Sequence, residues 1–208
     1  MSKISVYIIA FNESEKISAA INSVLWADEI VVADSYSEDG TATIAAELGA
    51  RVVQIKFQGF GDLRNRAMAA CSHPWIFSLD ADERCTPEAQ NEILATIADP
   101  QAVDAYYIPR RNYFMGRWIR YSGFYPDYRQ PQLFRKGALT FKDDPVHEEY
   151  AVASARPAGY LRQPIWQFPF KNLGEVEHKA NKYSTLGAEK LSRQGRKGTM
   201  AKALLRGL

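Results

Sequence analysis

The chain has 208 residues, of which 46% are hydrophobic and 24% charged, and its formal net charge is +2. This length and composition are typical of one sizeable soluble domain, and so small a charge gives no support for a nucleic-acid partner. Two cysteines without a paired Cys/His motif disfavour both a disulfide scaffold and a zinc site. The N-terminus lacks the architecture of a signal peptide and no apolar run approaches the roughly 18–20 residues that span a bilayer, so we expect a cytoplasmic protein.

The first hundred residues alternate between short apolar runs and segments with a helical pattern. The apolar runs predict four buried strands, at Ile4–Phe11, Glu29–Ala33, Arg51–Phe57 and Trp75–Leu79. The segments that follow them predict helices at Ser14–Leu25, from Thr41 or Thr43 to Leu48, at Asp62–Cys71, and from Pro87 to Ala98 with Thr86 as its cap. Four strand–helix units in a row predict an α/β fold with a mainly parallel central sheet and helices on both faces.

Acidic and amide side chains follow three of these strands, at the point where each strand ends. Asn12 and Glu13 follow the first strand, Asp34 follows the second, and Asp80 and Asp82 follow the fourth. An isolated Asp-x-Asp pair is more often a solvated acidic turn than a site. In a parallel sheet, however, the carboxyl ends of the strands lie along one rim, where ligands bind. This shared rim favours a site in which the two aspartates hold Mg²⁺ or Mn²⁺ together with substrate phosphates.

After residue 100 the pattern changes to strands separated by a basic and aromatic loop. Strands are predicted at Ala105–Phe114, at Gln132–Phe134 and, interrupted by prolines, at Tyr160–Phe170, and a polar helix at Glu175–Ser192. The loop between the first two of these strands contains Tyr113, Phe114, Trp118, Tyr121, Phe124, Tyr125 and Tyr128, interleaved with Arg117, Arg120 and Arg129. Two interpretations stay open: a platform for a sugar or an anionic ligand, or a surface loop whose rings pack on the sheet.

The sequence contains no clear linker, so it predicts one domain followed by a short tail. The domain comprises residues 1–192, and the tail, residues 193–208, is basic with an apolar stripe. Such a tail lies as an amphipathic helix on anionic lipid or, at so short a length, frays in solution. The protein is therefore expected in the cytoplasm, either free or as a peripheral protein on the inner face of the cytoplasmic membrane.

Five motifs carry a family resemblance. They are the segments Ile9–Glu13, Val31–Ser35 with Ser37–Thr41, Gly59–Gly61 with Arg64 and Asn65, Trp75–Arg84, and Val146–Glu149. Together they resemble the inverting glycosyltransferases of family 2, which have a single Rossmann-like GT-A domain, and within that family the lipopolysaccharide core β-glycosyltransferases of Gram-negative bacteria. The resemblance covers about residues 4–185. It implies that residues 1–100 form the nucleotide-sugar-binding half and residues 101–192 the acceptor-binding half.

The resemblance also implies roles for the matching positions. It implies contacts with the nucleotide sugar for Asn12, Glu13, Asp34, Arg64, Asn65 and Asp80. It implies that Asp80 and Asp82 bind Mn²⁺ or Mg²⁺, with Gln167 where relatives often place a histidine, so that its carbonyl oxygen is a further candidate ligand. Glu148 matches the acidic position proposed as general base. The candidate acceptor contacts are Trp118, Arg129 and His147, although a structural hydrogen bond is an equal alternative for the histidine.

The implied reaction is metal-dependent transfer of a sugar from a nucleotide-diphosphate donor to a saccharide or glycolipid acceptor in lipopolysaccharide core or other envelope glycan synthesis. UDP-hexose is the expected donor because the resemblance runs through Asp34. A metal and an arginine stabilise the departing diphosphate, and a carboxylate takes the proton of the acceptor hydroxyl. Two alternatives remain. A nucleotidyltransferase would need a glycine-rich loop after the first strand, which is absent, and a non-catalytic sugar- or lipid-binding relative would have no need of intact Asp80, Asp82 and Glu148.

Overall fold

The computed structural model describes residues 2–142, 149–170, 172–193 and 195. The chain divides into two compact units, Met1–Pro169 and Phe170–Leu208. In chain order the elements are β1 (Ile4–Ala10), α1 (Ser14–Asn22), β2 (Glu29–Asp34), α2 (Thr41–Glu47), β3 (Arg51–Gln54), α3 (Phe60–Ala70), β4 (Trp75–Asp80), β5 (Glu83–Arg84), α4 (Pro87–Ala98), β6 (Ala105–Tyr107), β7 (Arg110–Phe114), β8 (Arg117–Trp118), β9 (Pro131–Arg135), β10 (Leu139–Phe141), β11 (Tyr150–Val152), β12 (Gly159–Tyr160), β13 (Ile165–Phe170) and α5 (Leu173–Arg193). The predicted domain boundary after residue 192 stays a prediction.

A seven-stranded sheet forms the centre of the first unit. Its strand order is β12-β6-β9-β4-β1-β2-β3. The pairs β1–β2, β1–β4, β2–β3 and β6–β12 are parallel, whereas β9 is antiparallel to both of its neighbours, β4 and β6. The predicted α/β fold with a mainly parallel central sheet is confirmed. The carboxyl ends of β1, β2 and β4 therefore lie along one edge of the sheet.

Both faces of this sheet are covered by helices, because the strands are apolar on both sides. Val6 and Ile8 of β1 pack in one core cluster with side chains of α1, α2 and α4. Tyr7, between them, points to the opposite face and joins a second cluster with Leu63 and Ala67 of α3. The β10–β11 hairpin, which is antiparallel, contributes Leu139 and Phe141 to this second cluster. The predicted helices on both faces are thus confirmed.

A smaller sheet lies beside the point where β4 ends. Its strand order is β5-β13-β7-β8. β5 follows β4 after a two-residue turn and pairs antiparallel with β13, with Glu83 opposite Gln167. This arrangement places β5, β7 and β13 next to the carboxyl end of β4.

The prediction of one strand at Ala105–Phe114 is wrong. The chain forms β6 in the central sheet and then β7 in the smaller sheet, with Ile108 and Pro109 between them. Proline has no backbone N–H for a strand ladder, so it marks the point where the chain leaves one sheet for the other. The predicted strand Tyr160–Phe170 divides in the same way into β12 and β13.

The start of α1 differs from the prediction in how its first N–H groups are satisfied. Ser14 is its first residue rather than its cap, and the cap residue, Glu13, forms no side-chain capping bond. Instead the N–H of Glu13 donates to Thr41 Oγ1 at 2.8 Å and that of Ser14 donates to Asp39 Oδ2 at 2.9 Å. Asp39, in the loop after β2, and Thr41, the first residue of α2, therefore satisfy N–H groups at the start of the helix after β1, which ties the two loops together.

The second unit contains α5. Its first turn is capped by Asn172, whose Oδ1 accepts a hydrogen bond from the N–H of Glu175 at 3.0 Å. Of the predicted tail, residues 194 and 196–208 lie outside the described residues. Among the described residues, no helix is both long enough and apolar enough to cross a bilayer.

Candidate active site

The Asp-x-Asp pair occupies the turn between β4 and β5. Asp80, the last residue of β4, is only partly exposed, and its Oδ1 lies 3.0 Å from Nη2 of Arg64 on α3. Arg64 is itself buried and places Nη1 3.4 Å from the hydroxyl of Ser78. Burial raises the pKa of Asp80, but the charges of Arg64, Arg110 and Arg129 hold it below its ordinary value overall. The carboxylate is therefore charged at neutral pH.

Gln167 stands beside the second aspartate of the pair. The N–H of Phe168 donates to the backbone carbonyl of Asp82 at 2.8 Å, and Gln167 Nε2 lies 3.5 Å from each carboxylate oxygen of Asp82. Gln167 is buried, and its Oε1 accepts no hydrogen bond from the residues that the structure describes. A buried carbonyl oxygen without a donor is costly, and a hard cation is a partner that would satisfy it.

Glu83 directly follows the pair and was not predicted as a site residue. It is fully buried, and its Oε1 accepts a hydrogen bond from Arg110 Nε at 2.5 Å. Its Oε2 accepts from the backbone N–H of Asp80 at 2.9 Å and from Gln132 Nε2 at 3.2 Å. Burial raises the pKa of Glu83 to about 6, with a contribution from the nearby aspartates that Arg110 only partly offsets. Glu83 therefore fixes the backbone at the first aspartate.

The loops after β1 and β2 meet through Ser37. The backbone N–H of Asn12 donates to Ser37 Oγ at 2.8 Å, and Asn12 Oδ1 accepts from the N–H of Glu38 at 3.0 Å. Asp34 is fully buried, and Ser37 donates to both of its carboxylate oxygens, from the hydroxyl at 2.5 Å and from the N–H at 2.9 Å. The structure thus brings Asn12 and Asp34 together, with the side chain of Asp34 turned away from solvent.

Two aromatic side chains at this rim are exposed and were missed by the sequence analysis. Phe11 directly follows β1 and Tyr36 follows β2 by one residue, and more than half of each side chain is exposed. Their signal in the sequence was weak, because Phe11 reads as the end of an apolar strand and Tyr36 as part of a polar turn. Each is better placed to meet a ligand than the buried carboxylate of Asp34.

Glu13 and Asp39 organise the same loops. Glu13 forms an ion pair with Lys16 at 3.4 Å, in addition to the backbone bond with Thr41. Slight burial raises the pKa of Asp39, but hydrogen bonds from Thr41 and Ser14 outweigh this effect and hold it at about 2. The negative charge of Asp39 beside the first N–H groups of α1 is also favourable for the helix.

Asn65 does not point in the same direction as its neighbour Arg64. Asn65 Nδ2 donates to the carbonyl of Phe141 at 2.8 Å, and its Oδ1 accepts from the N–H of Phe141 at 2.9 Å. The amide therefore holds α3 on the edge of β10. One turn earlier, a Cβ on Gly61 would lie 2.4 Å from the carbonyl oxygen of Lys142, so the glycine permits the close approach.

The predicted acceptor contacts separate into two groups. Arg129 forms a bidentate ion pair with Asp127, at 3.2 Å from Nε and 2.9 Å from Nη2. Its positive charge also lowers the pKa of Asp80. Trp118 lies in a different cluster, with the guanidinium groups of Arg111 and Arg120 at 4.8 and 5.7 Å from its ring. His147 and the predicted general base, Glu148, lie outside the described residues.

The arrangement at the end of β4 is suited to binding a phosphate-bearing ligand together with a cation. Within the described ranges, no three Asp, Glu, His or Cys side chains converge into a complete metal-binding group. Two aspartates and the amide oxygen of Gln167 would leave much of a divalent cation's coordination shell to other oxygens. Phosphate oxygens of a substrate are the usual supplement in such sites, and the nearby Arg64 and Arg129 carry the matching positive charge.

Sequence comparisons give one family for most of the chain. A family model described as "Glycosyl transferase family 2" matches residues 5–167. An "Uncharacterized glycosyltransferase" of Rickettsia felis is 32% identical over 212 residues, which covers 95% of this chain and 73% of that protein. The "Lipopolysaccharide core biosynthesis glycosyltransferase LpsC" of Rhizobium meliloti is 29% identical over 209 residues, with 93% and 73% covered.

Among solved structures, the chain is similar to S. aureus TarS 1-349. The TM-score is 0.53 at 23% sequence identity, and the match covers 65% of this chain and 48% of the TarS chain. TarS 1-349 has also been solved in complex with UDP. At this level of identity the similarity concerns the fold alone, and it extends over about half of the solved chain.

Proposed function

Because the chain belongs to glycosyl transferase family 2 and is a glycosyltransferase, we propose that it transfers a hexose from a UDP-sugar to a saccharide acceptor, with inversion and with a divalent metal. The observation that carries this proposal is the group of Arg64, Asp80, Asp82 and Gln167 at the carboxyl end of β4. It combines two carboxylates, a buried carbonyl oxygen without a donor and a buried cation. The similarity to LpsC supports an acceptor in lipopolysaccharide core or another envelope glycan.

The donor's diphosphate is the group that this site must stabilise. Mn²⁺ or Mg²⁺, held by Asp80, Asp82 and the Oε1 of Gln167, would offset the negative charge that grows on the diphosphate as it leaves. Arg64 holds Asp80 in its charged form at 3.0 Å. Arg129, whose charge already acts on Asp80, contributes a second positive charge on the exposed side. Fixed positive charges of this kind stabilise the transition state more than the ground state.

For the nucleotide we propose the rim formed by the loops after β1 and β2. Phe11 and Tyr36 offer exposed rings to the base, and Asn12, next to Phe11 in the chain, bonds Ser37, the neighbour of Tyr36. Asp34 supports this rim through Ser37, to which both carboxylate oxygens are bonded. Asn65 holds α3 against β10 through its bond to the carbonyl of Phe141. The backbone N–H of Glu13 bonds Thr41 and so holds the loop after β1 against the start of α2. UDP is the nucleotide to test first, because it is the one solved with TarS, which shares the fold.

The proton of the acceptor hydroxyl needs a carboxylate within hydrogen-bond reach, because that hydroxyl has a high pKa. We assign this role to Glu148, with His147 as an acceptor contact, from the motif Val146–Glu149. Attack on the face opposite the diphosphate inverts the anomeric carbon in one step, so no protein nucleophile is needed. The proposed location is the inner face of the cytoplasmic membrane, where a glycolipid acceptor would be available.

The proposal is tested by metal-dependent binding and turnover of nucleotide sugars. Calorimetry with a panel of UDP-sugars should detect binding with Mn²⁺ that EDTA abolishes. Asp82→Asn should lower turnover by at least a hundredfold, since it removes charge at the metal. The matched control is Asp62→Asn, because Asp62 lies on α3 and pairs with Arg66 at 3.5 Å. Absence of metal-dependent UDP-sugar binding in the wild type would falsify the proposal, and equal turnover by wild type and Asp82→Asn would favour a non-catalytic relative.

A further inference from the structure

The β7–β8 hairpin forms the outer edge of the smaller sheet. Its strands pair antiparallel, with Phe114 opposite Arg117, and the turn between them consists of Met115 and Gly116. Both turn residues have positive φ angles, 48° and 77°, which is the geometry of a tight two-residue hairpin turn. We use the name basic hairpin for residues 111–124, which comprise this hairpin and the loop that follows it.

The exposed surface of the basic hairpin combines apolar and cationic side chains. Met115 is 54% exposed, Tyr121 76% and Phe124 43%. Arg117 and Arg120 are exposed between them. Several large apolar side chains exposed within one short segment indicate a contact surface rather than part of the core.

The charge of this region has one sign. Residues 105–126 contain four arginines and neither aspartate nor glutamate. The acidic residue that follows, Asp127, is already paired with Arg129. A surface of arginines, aromatic rings and a methionine is complementary to a bilayer with anionic headgroups, where cations meet the phosphates and rings lie at the level of the headgroups.

The packing of Trp118 argues against a stacking role for its ring in sugar binding. Its ring is covered by Arg111 and Arg120 and meets the edge of Tyr125 at 5.3 Å. Tyr113 is likewise stacked on Phe168 at 5.0 Å. Trp118 and Tyr113 are therefore used for packing, whereas the side chains of Met115, Tyr121 and Phe124 remain exposed.

We propose that the basic hairpin docks this protein on the surface of an anionic bilayer. β7 begins at Arg110, which bonds Glu83 beside the Asp-x-Asp turn, and at about 3.3 Å per residue the strand extends roughly 17 Å from this bond to the tip. Docking by the tip would hold the active site within reach of an acceptor anchored in the same bilayer. This benefit rests on the proposed function, whereas membrane binding itself does not depend on it.

The experiment is co-sedimentation of the full chain with vesicles. One set contains equal parts phosphatidylglycerol and phosphatidylcholine, and the other contains phosphatidylcholine alone. We expect the protein to bind the anionic vesicles. Binding should be at least about tenfold weaker with the neutral vesicles, and at least about tenfold weaker with the anionic vesicles in 0.5 M NaCl. Two double variants, Met115→Asn with Phe124→Ser and Arg117→Glu with Arg120→Glu, should each weaken binding about tenfold or more. Asparagine is chosen at 115 because it tolerates a positive φ angle.

Two matched controls separate this surface from the rest of the molecule. Leu94→Ser removes an exposed apolar side chain on α4, and Lys3→Glu reverses a charge at the opposite edge of the central sheet, where β1 begins. Both controls should bind vesicles as the wild type does. A cooperative thermal unfolding transition of the same samples without ligand shows that each variant is folded, and the shift of its midpoint with UDP and Mn²⁺ tests the proposed function separately.

The docking proposal fails if the wild type does not sediment with anionic vesicles, or if the hairpin variants bind them as well as the two controls do. It also fails if the variants keep vesicle binding but lose turnover of a water-soluble saccharide acceptor, which would make this surface an acceptor site. Vesicle binding that depends on the hairpin, in a protein that binds no UDP-sugar, would support the docking and overturn only the proposed function.

Discussion

Glu83 is fully buried beside two half-buried aspartates, and the charges of Asp80 and Asp82 add to the rise of its pKa that burial causes. Its partner Arg110 is equally buried, and the bond between them joins the smaller sheet to the turn after β4. A buried ion pair adds little stability compared with apolar side chains of the same size, but the loss of one partner leaves the other charge buried and unpaired.

We therefore predict strong coupling between these two residues. Glu83→Gln should lower the free energy of unfolding by about 3–5 kcal/mol, because it leaves Arg110 unpaired. The double variant Glu83→Gln with Arg110→Met should recover most of that loss. Urea unfolding of the wild type, both single variants and the double variant measures the coupling. Additive losses in the double variant would contradict the prediction.

For individual residues, the sequence predicted which residues belong to the candidate site better than it predicted which residues bond to each other. The placing of Asp80 and Asp82 follows from their position at the end of a strand on the rim, whereas Arg64 was indicated only by the family resemblance. The bond between Glu83 and Arg110 does not, because the two residues are 27 positions apart and meet only through the packing of two sheets. The burial of Asp34 under Ser37 could not be predicted either, since the turn residues around it are polar throughout.

The contact between α3 and β10 depends on a glycine. A methyl group at Gly61 would meet the carbonyl oxygen of Lys142 at 2.4 Å, and backbone cannot move aside as easily as a side chain. Gly61→Ala should lower the free energy of unfolding by about 1–3 kcal/mol, the usual range for overpacking. Gly187→Ala is the control, because the added methyl group meets no atom within 4 Å among the described residues outside its own stretch of helix backbone. Thermal unfolding of the two variants tests this, and equal midpoints would contradict it.

Glu29 ties the starts of β1, β2 and β3 together. It accepts hydrogen bonds from Ser5, from Arg51 and from both the N–H and the hydroxyl of Ser72. Partial burial raises the pKa of Glu29, but these bonds outweigh that effect and lower it to about 2, below its ordinary value of 4.5. The folded state therefore binds this proton less tightly than the unfolded state, and stability due to Glu29 is lost as the pH falls from 4.5 to 2.

Glu29→Gln should consequently be destabilised at pH 7 by about 1–3 kcal/mol. The difference from the wild type should shrink as the pH falls through this interval, because the wild-type carboxylate is then protonated. Urea unfolding at pH 7, 4 and 2.5 gives the comparison, with the exposed Glu47→Gln as the control. A difference that stays constant with pH would show that the hydrogen bonds do not depend on the charge.

Among the elements, the long apolar runs were predicted well and the short strands were not. The runs in β1, β2 and β4 are buried on both faces, so their composition alone identifies them. The cap of α4 was also predicted, and Thr86 Oγ1 accepts from the N–H of Ala89 at 3.1 Å. Strands such as β5 and β8 have two residues each, too few for any alternation of burial, and exist only because longer strands pair with them.

For the whole molecule, a ligand that binds only the folded state must raise the unfolding temperature. At a hundredfold excess over the dissociation constant the gain is about 2.7 kcal/mol. For a domain of this size that corresponds to roughly 5–11 °C. UDP and Mn²⁺ together should give a larger shift than the sum of each alone, because in the proposed site phosphate oxygens would complete the shell that the two aspartates leave open. EDTA should remove the excess, and simply additive shifts would contradict a shared site.

The reversed strand β9 has a consequence for how the protein is made. It lies between β4 and β6 in the sheet, although it is synthesised about 50 residues after β4 ends. At about 5–20 residues per second, the ribosome leaves the apolar strand β4 without this neighbour for roughly 3–10 s. During that time an open edge of Trp75, Ile76 and Phe77 is available to other nascent chains, and it closes only when Leu133 and Phe134 arrive. The two halves of the chain are therefore interdependent in folding, and a fragment that stops before residue 131 should aggregate rather than bind nucleotide.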